Sequence, residues 1–196
     1  MKSVRYVEEM EKLYLGILLA LARTIDAKSK WTAGHSERVA VYSEKIASAL
    51  DMDSEFINNI KVSASLHDIG KIGVPESILD KEGNLSDEEF DLIKKHPQGG
   101  ADIIEAIPGY EKFLNGIIFH HEFWNGTGYP FGLNDTKIPL MGRIIAVADV
   151  YDSLVSDRPY RKGMACEKAV EILKSEKGRK LDPALVDIMI EIINNR

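Results

Sequence analysis

Cys166 is the chain's single cysteine, which excludes an intramolecular disulfide and suits a reducing compartment. Long apolar runs are also missing. The best stretch, Leu13 to Ala22, is too short to span a bilayer and follows Glu8, Glu9, Glu11 and Lys12. The N-terminus lacks the basic, apolar, then small-residue order of a secretory signal. A cytoplasmic protein without membrane insertion is the expectation. Surplus positive charge is absent too: the formal net charge is -6, whereas coating long nucleic acid takes many phosphate contacts. A small phosphorylated ligand stays open, because a pocket needs only a few local cations, and Arg158, Arg161 and Lys162 form such a cluster. Strand-like alternation is scarce, and neither internal repeats nor a dividing linker occur, so the expected fold is all-α.

Helical periodicity is what the chain does have. Tyr14, Ile17, Leu18, Leu21, Ala22 and Ile25 follow helical spacing, as do Val39, Tyr42, Ile46 and Ala49 after Gly34. Asp53 or Ser54 caps a third helix, with Ile57, Ile60 and Ala64 inward and His67-Asp68 at its end. Gly70 and Gly73 break the chain, and Pro75 opens a short element. Ser86 to Glu89 has capping-box spacing and starts a helix running to about His96, where Pro97 stops it. Ile117, Ile118 and Phe119 belong to a helix delivering His120 and His121. Glu122 to Pro139 reads as a long loop. Ile144, Val147, Ala148, Tyr151 and Val155 mark a helix placing Asp149 and Asp152 one turn apart, and Asp182-Pro183 starts the last helix.

All five histidines fall where a metal ion can use them. His67 adjoins Asp68, His120 adjoins His121, and His35 and His96 stand beside helix boundaries. Asp149 lies among Ala146, Val147, Ala148 and Val150, where a carboxylate needs a strong partner such as a metal. Imidazole with carboxylate is a ligand set for Mn, Fe and Zn. On residue type, Asp68 can lend one oxygen to each of two ions. His35, His67 and Asp149 complete one site, and His96, His120 and His121 the other. Two ions ~3.5–4 Å apart can clamp both ends of an in-line phosphoryl displacement.

His67-Asp68-Ile69-Gly70-Lys71 and Gly126-Thr127-Gly128-Tyr129-Pro130 resemble the two signatures of the HD-GYP family. The likeness continues through Gly34-His35-Ser36-Glu37-Arg38-Val39, His96-Pro97, His120-His121-Glu122, Ala148-Asp149-Val150-Tyr151-Asp152, Asp157-Arg158-Pro159-Tyr160-Arg161 and Asp182-Pro183. The resemblance implies a helical bundle of HD type, with a long Gly-Tyr-Pro loop over a metal centre. It implies hydrolysis of cyclic di-GMP to the linear dinucleotide pGpG, or to GMP after a second cleavage. His35, His67, Asp68, His96, His120, His121 and Asp149 match the family's metal ligands, for two divalent ions, Fe or Mn ahead of Zn. Lys71 matches a lysine that reaches the scissile phosphate, with Asp68 catalytic through its bridging position. Tyr129, Arg158, Arg161 and Asp152 match substrate-contact positions.

Some members hold a third metal with a carboxylate where this chain has Trp31, so two ions are expected here. Asn125 replaces a common aspartate, which implies a changed loop contact. Most members also carry an N-terminal sensory or receiver domain that these 196 residues do not include. Residues 1–25 are expected to form a linker or packing helix able to pair with a second copy, and 26–196 the catalytic domain. The Gly-Tyr-Pro loop is a candidate surface for a signalling protein partner. Two rivals remain: a module that binds cyclic di-GMP or a partner without turnover, and an HD-type hydrolase of mononucleotides. The second leaves the Gly-Tyr-Pro loop and the arginines unexplained.

Overall fold

The computed structural model describes residues 2–28, 33–157 and 162–195. Among them are ten α-helices: α1 (Lys2–Lys28), α2 (His35–Ala49), α3 (Ser54–Leu66), α4 (Glu76–Leu79), α5 (Asp87–Ile93), α6 (His96–Glu105), α7 (Leu114–Phe119), α8 (Leu140–Val155), α9 (Cys166–Glu176) and α10 (Pro183–Asn194). The described residues hold no β-strand, only isolated bridges at Asn125–Asn134 and Lys177–Leu181. The all-α expectation is met.

Local chemistry sets the helix starts. Asp53 accepts from the Phe56 amide at 2.7 Å and caps α3. Ser86 and Glu89 exchange hydrogen bonds in a capping box at α5. Asp182 accepts from the Ala184 and Leu185 amides at α10, where Pro183 occupies the first turn without wasting a donor. Pro97 departs from expectation. It does not stop a helix: α5 already ends at Ile93, and Pro97 lies in the first turn of α6, which His96 begins. A first-turn residue has no intrahelical acceptor for its amide, so proline is accepted there as readily as after a helix end.

Two apolar clusters hold the bundle. The larger joins α2, α3, α8, α9 and α10 through Val39, Ile46, Ile60, Ile145, Tyr151, Leu173 and Met189. The smaller joins α1, the end of α3, α6 and α7 through Leu18, Ala22, Ile25, Leu66, Ile104 and Ile117. Fully burying a valine, leucine, isoleucine or methionine side chain, as at Val39, Ile46, Ile60, Leu66 and Met189, stabilises the fold by ~1.5–3 kcal/mol. Of the stripe expected on α1, only Leu18, Ala22 and Ile25 are buried, while Tyr14, Ile17 and Leu21 face outward. The apolar residues of α1 span more than one face. The expected boundary after residue 25 falls inside α1, which runs on to Lys28.

Gly70 works by close approach. It sits in a 3-10 turn, Ile69–Gly73, where an added Cβ would lie 2.0 Å from the His96 carbonyl oxygen and 2.4 Å from the Gly100 amide. Only glycine lets the turn after Asp68 rest on the start of α6. Gly70→Ala should therefore lower the unfolding free energy by about 1–3 kcal/mol, read as a lower urea midpoint at constant slope. An unchanged midpoint would mean the turn gives way at no cost.

Candidate metal centre

The chain delivers its histidines from helix ends. His35 begins α2, His67 follows α3, His96 begins α6, and His120-His121 follow α7. Three of them use the same device. Nδ1 of His67 lies 2.6 Å from the Ala64 carbonyl, that of His96 2.8 Å from Ile93, and that of His120 2.8 Å from Ile117. A carbonyl oxygen only accepts, so each Nδ1 carries the proton and each Nε2 turns a lone pair inward. His35 is held differently: Nδ1 donates to Asp152 Oδ2 at 2.7 Å, and Nε2 lies 3.1 Å from Asp149 Oδ1.

Donor atoms of Asp68, His96, His120 and His121 lie within 4.8 Å of one another, as do those of His35, His67 and Asp68. Asp68 is common to both groups. Its Oδ2 is 2.6 Å from Lys71 Nζ and 3.5 Å from His67 Nε2. Its Oδ1 is 3.3 Å from His96 Nε2, yet it is buried without a hydrogen bond. His96 Nε2 and His120 Nε2 face each other at 3.2 Å, both as lone-pair ends. Two lone pairs and an unsatisfied carboxylate oxygen repel until a cation sits among them, so this donor set fits divalent metal ions.

Protonation follows the same geometry. Burial would raise the Asp68 carboxyl, but the Lys71 ammonium beside it reverses this and holds it well below the usual carboxylate range. Burial likewise opposes charge on Lys71, and Asp68 outweighs it, keeping the ammonium. Burial pushes His120 well down and takes His121 down to about 3, so both stay neutral and able to ligate. His35 goes the other way. Hydrogen bonds to Asp149 and Asp152 overcome its burial and lift it to about 10. In the metal-free chain its Nε2 proton occupies the position a cation would take.

The centre opens on a cleft of about 400 Å³. Its lining combines charged and polar groups, Asp26, His35, Asp68, Lys71, Lys81 and Asp149, with apolar Ile78, Leu79, Leu85 and Ile93. Tyr129 is half-buried outside the cleft, its ring 4.8 Å from that of His121, and its bond to Pro130 is cis. Asp152 is placed differently from its expected substrate contact. It is fully buried behind His35, with Arg38 donating to it from Nε at 2.7 Å and from Nη2 at 3.1 Å, and no oxygen is left to face a substrate. Arg158, Arg161 and Trp31 lie outside the described residues.

Residues 20–185 match the family model described as the HD domain. The chain belongs to the HD domain family. It is 39% identical over 178 residues to the 3'3'-cGAMP-specific phosphodiesterase 3 of Vibrio cholerae serotype O1, covering 91% of this chain and 39% of that protein. It is 36% identical over 190 residues to the cyclic di-GMP phosphodiesterase response regulator RpfG of Xanthomonas campestris pv. campestris, covering 96% and 50%. Bd1817, an HDG"Y"P protein from Bdellovibrio bacteriovorus, superposes with a TM-score of 0.68 at 22% identity, covering 98% of this chain and 64% of that one. These likenesses support the HD-GYP resemblance, and the last speaks for fold alone. The chain spans half or less of the length of these two sequence relatives.

Two residues of this HD domain had no role in the sequence reading. Arg38 secures Asp152 from one turn beyond His35. Asp26, buried on α1, accepts from the Ser36 amide at 3.0 Å and the Ser36 hydroxyl at 2.9 Å, tying α1 to the helix that His35 begins. A carboxylate beside Ile25 in an apolar stripe was the available signal for Asp26.

Proposed function

We propose that this HD domain is a metal-dependent phosphodiesterase that opens cyclic di-GMP to pGpG, with GMP after a second cleavage. The observation carrying this reading is Asp68, shared by two donor groups and paired with Lys71 beside a cleft. His35, His67 and Asp149 would hold one divalent ion, His96, His120 and His121 the other, and Asp68 both. Mixed imidazole and carboxylate donors favour iron or manganese, with zinc as the alternative. Such ions supply Lewis-acid neutralisation of phosphoryl oxygens and make water acidic enough to react near neutral pH.

The chain's own groups do the rest. The Lys71 ammonium faces the cleft and would hold charge on the phosphate or the departing 3′ oxygen. Asp152 and Arg38 keep the His35 ring aimed. Ile78, Leu79, Leu85 and Ile93 would give the sugar and base apolar surface within the cleft. Tyr129 would contact a base, and Arg158 and Arg161 would grip phosphate through paired donors.

The test is turnover by protein purified without oxygen, with products separated by chromatography. Cyclic di-GMP should be cleaved, chelation should stop cleavage, and Mn²⁺ or Fe²⁺ should restore it. Parallel reactions with 3'3'-cGAMP and mononucleotides rank the substrates. Binding without turnover by the fully metallated chain would leave a regulatory module instead. Cleavage of mononucleotides alone would leave a different hydrolase.

A homodimer through α1 belongs to the same proposal, with 1–25 as pairing helix and 26–196 as catalytic domain. Tyr6, Leu13, Tyr14, Ile17 and Leu21 are exposed on α1 while Leu18, Ala22 and Ile25 pack inward. Ile17→Glu should weaken dimerisation at least tenfold and shift the mass measured by light scattering toward the monomer. A wild-type monomer at high concentration would remove this part of the proposal. Phe131, 58% exposed on the Gly-Tyr-Pro loop, is where a signalling protein partner would dock. No helix among the described residues is long and apolar enough to cross a membrane, and a cytoplasmic location is proposed on the single cysteine and the nucleotide substrate.

A further inference from the structure

We infer that Glu122 is a positioning residue whose buried carboxylate clamps the Gly-Tyr-Pro loop, so that the Tyr129 ring holds His121 in its ligating orientation. This rests on the two-ion reading of the centre and extends it to a residue with no role so far. His35, His67, His96 and His120 are each aimed by a hydrogen bond at Nδ1. Among the described residues, His121 makes no hydrogen bond through its ring. Ring contacts set its attitude instead: His120 at 4.1 Å, Tyr129 at 4.8 Å and an interplanar angle of 30°, and His96 at 5.0 Å. Tyr129 is the one of these rings that comes from the loop, so its position has to be fixed by loop contacts.

Those contacts come from the segment that carries His121. The Tyr129 amide donates to the His121 carbonyl at 3.0 Å. Gly128 lies so close that an added Cβ would be 2.2 Å from the Phe123 amide nitrogen and 2.6 Å from the Glu122 Cα. On the far side of Tyr129, Glu122 accepts from the Phe131 amide at 2.7 Å and the Leu133 amide at 2.9 Å. Glu122 is only 2% exposed, so these two charge-assisted bonds face little competition from water. Tyr129 is thus bracketed between bonds made by adjacent residues, one of them the candidate ligand. Glutamine in place of Glu122 keeps the shape but offers one oxygen to two amides and turns its own NH₂ toward the other.

The experiment titrates Mn²⁺ into metal-free protein, counting free ion by electron paramagnetic resonance, and measures amide exchange at Phe131 and Leu133 without metal. In Glu122→Gln both amides should exchange faster, helix content should stay, and one of two Mn²⁺ should bind about tenfold or more weakly. Tyr129→Ala should reproduce the weakened ion, and Tyr129→Phe, which keeps the ring, should bind both ions like wild type. Two ions bound equally well by wild type and Glu122→Gln would overturn the clamp alone. Unchanged exchange at Phe131 and Leu133 would overturn it as well. A wild-type chain that takes up no Mn²⁺ would overturn the metal reading, and this inference with it.

Discussion

Asp68→Asn is expected to strip the centre of metal and lower kcat/KM for cyclic di-GMP about a thousandfold or more. Each metal ion is worth several kcal/mol of transition-state stabilisation, and 1.36 kcal/mol is one decade in rate. Asparagine keeps the volume of Asp68 but has one oxygen, no charge and an NH₂ that cannot ligate. Asp68 is 4% exposed and its two oxygens look to opposite groups, Oδ1 toward His96 and Oδ2 toward His67 and Lys71. Both ions should therefore weaken together. Elemental analysis should find fewer than one ion per chain, against two in wild type. Added Mn²⁺ should stabilise wild type by ~2.7 kcal/mol for each site at a hundred times that site's Kd and leave the variant nearly unmoved. Without metal the variant loses the counter-charge of Lys71. Because that side chain keeps 23% of its exposure, the loss should stay below the ~3–5 kcal/mol of a fully buried broken pair. Two fully occupied ions in Asp68→Asn would overturn the bridging role proposed for Asp68.

The candidate ligand residues were legible because their chemistry is scarce and costly to bury. Asp149 stood out as a carboxylate in an apolar helix, and His67-Asp68 and His120-His121 as adjacent donors. The partners that aim them were not legible. Asp149 and Asp152 are one turn apart on α8, and periodicity assigns them the same face. Yet Asp149 meets Nε2 of His35 while Asp152 lies behind it at Nδ1, a distinction set by the packing of α2 on α8. Carbonyl bonds from His67, His96 and His120 use backbone atoms, which no sequence pattern marks. Helix α6 was missed because Pro97, Gly99 and Gly100 crowd its first half, and tertiary packing on the Gly70 turn overrides their poor propensity. Helix α9 was also missed: only Ala169 and Leu173 are buried on it, too few to show a period.

Lys71 should separate chemistry from metal binding. Lys71→Met keeps most of the stem and removes the ammonium that sits 2.6 Å from Asp68 Oδ2. In the metal-free chain that ammonium is what balances Asp68; with two cations bound, the balance no longer depends on it. The variant should therefore retain both ions by elemental analysis. Its kcat on cyclic di-GMP should fall by about 10²–10³, the usual cost of losing one group aimed at charge that develops in the transition state. KM should change little, since the contact strengthens only as that charge forms. The leaving group then tells which oxygen Lys71 serves. A phosphodiester with an activated aryl leaving group needs no help at the departing oxygen, so its rate should fall far less than that of cyclic di-GMP if Lys71 acts there. An equal fall on both substrates would place its effect on the nonbridging oxygens instead. Loss of metal along with activity would mean that Lys71 only holds Asp68 in place, and wild-type turnover would leave it a bystander at the mouth of the cleft.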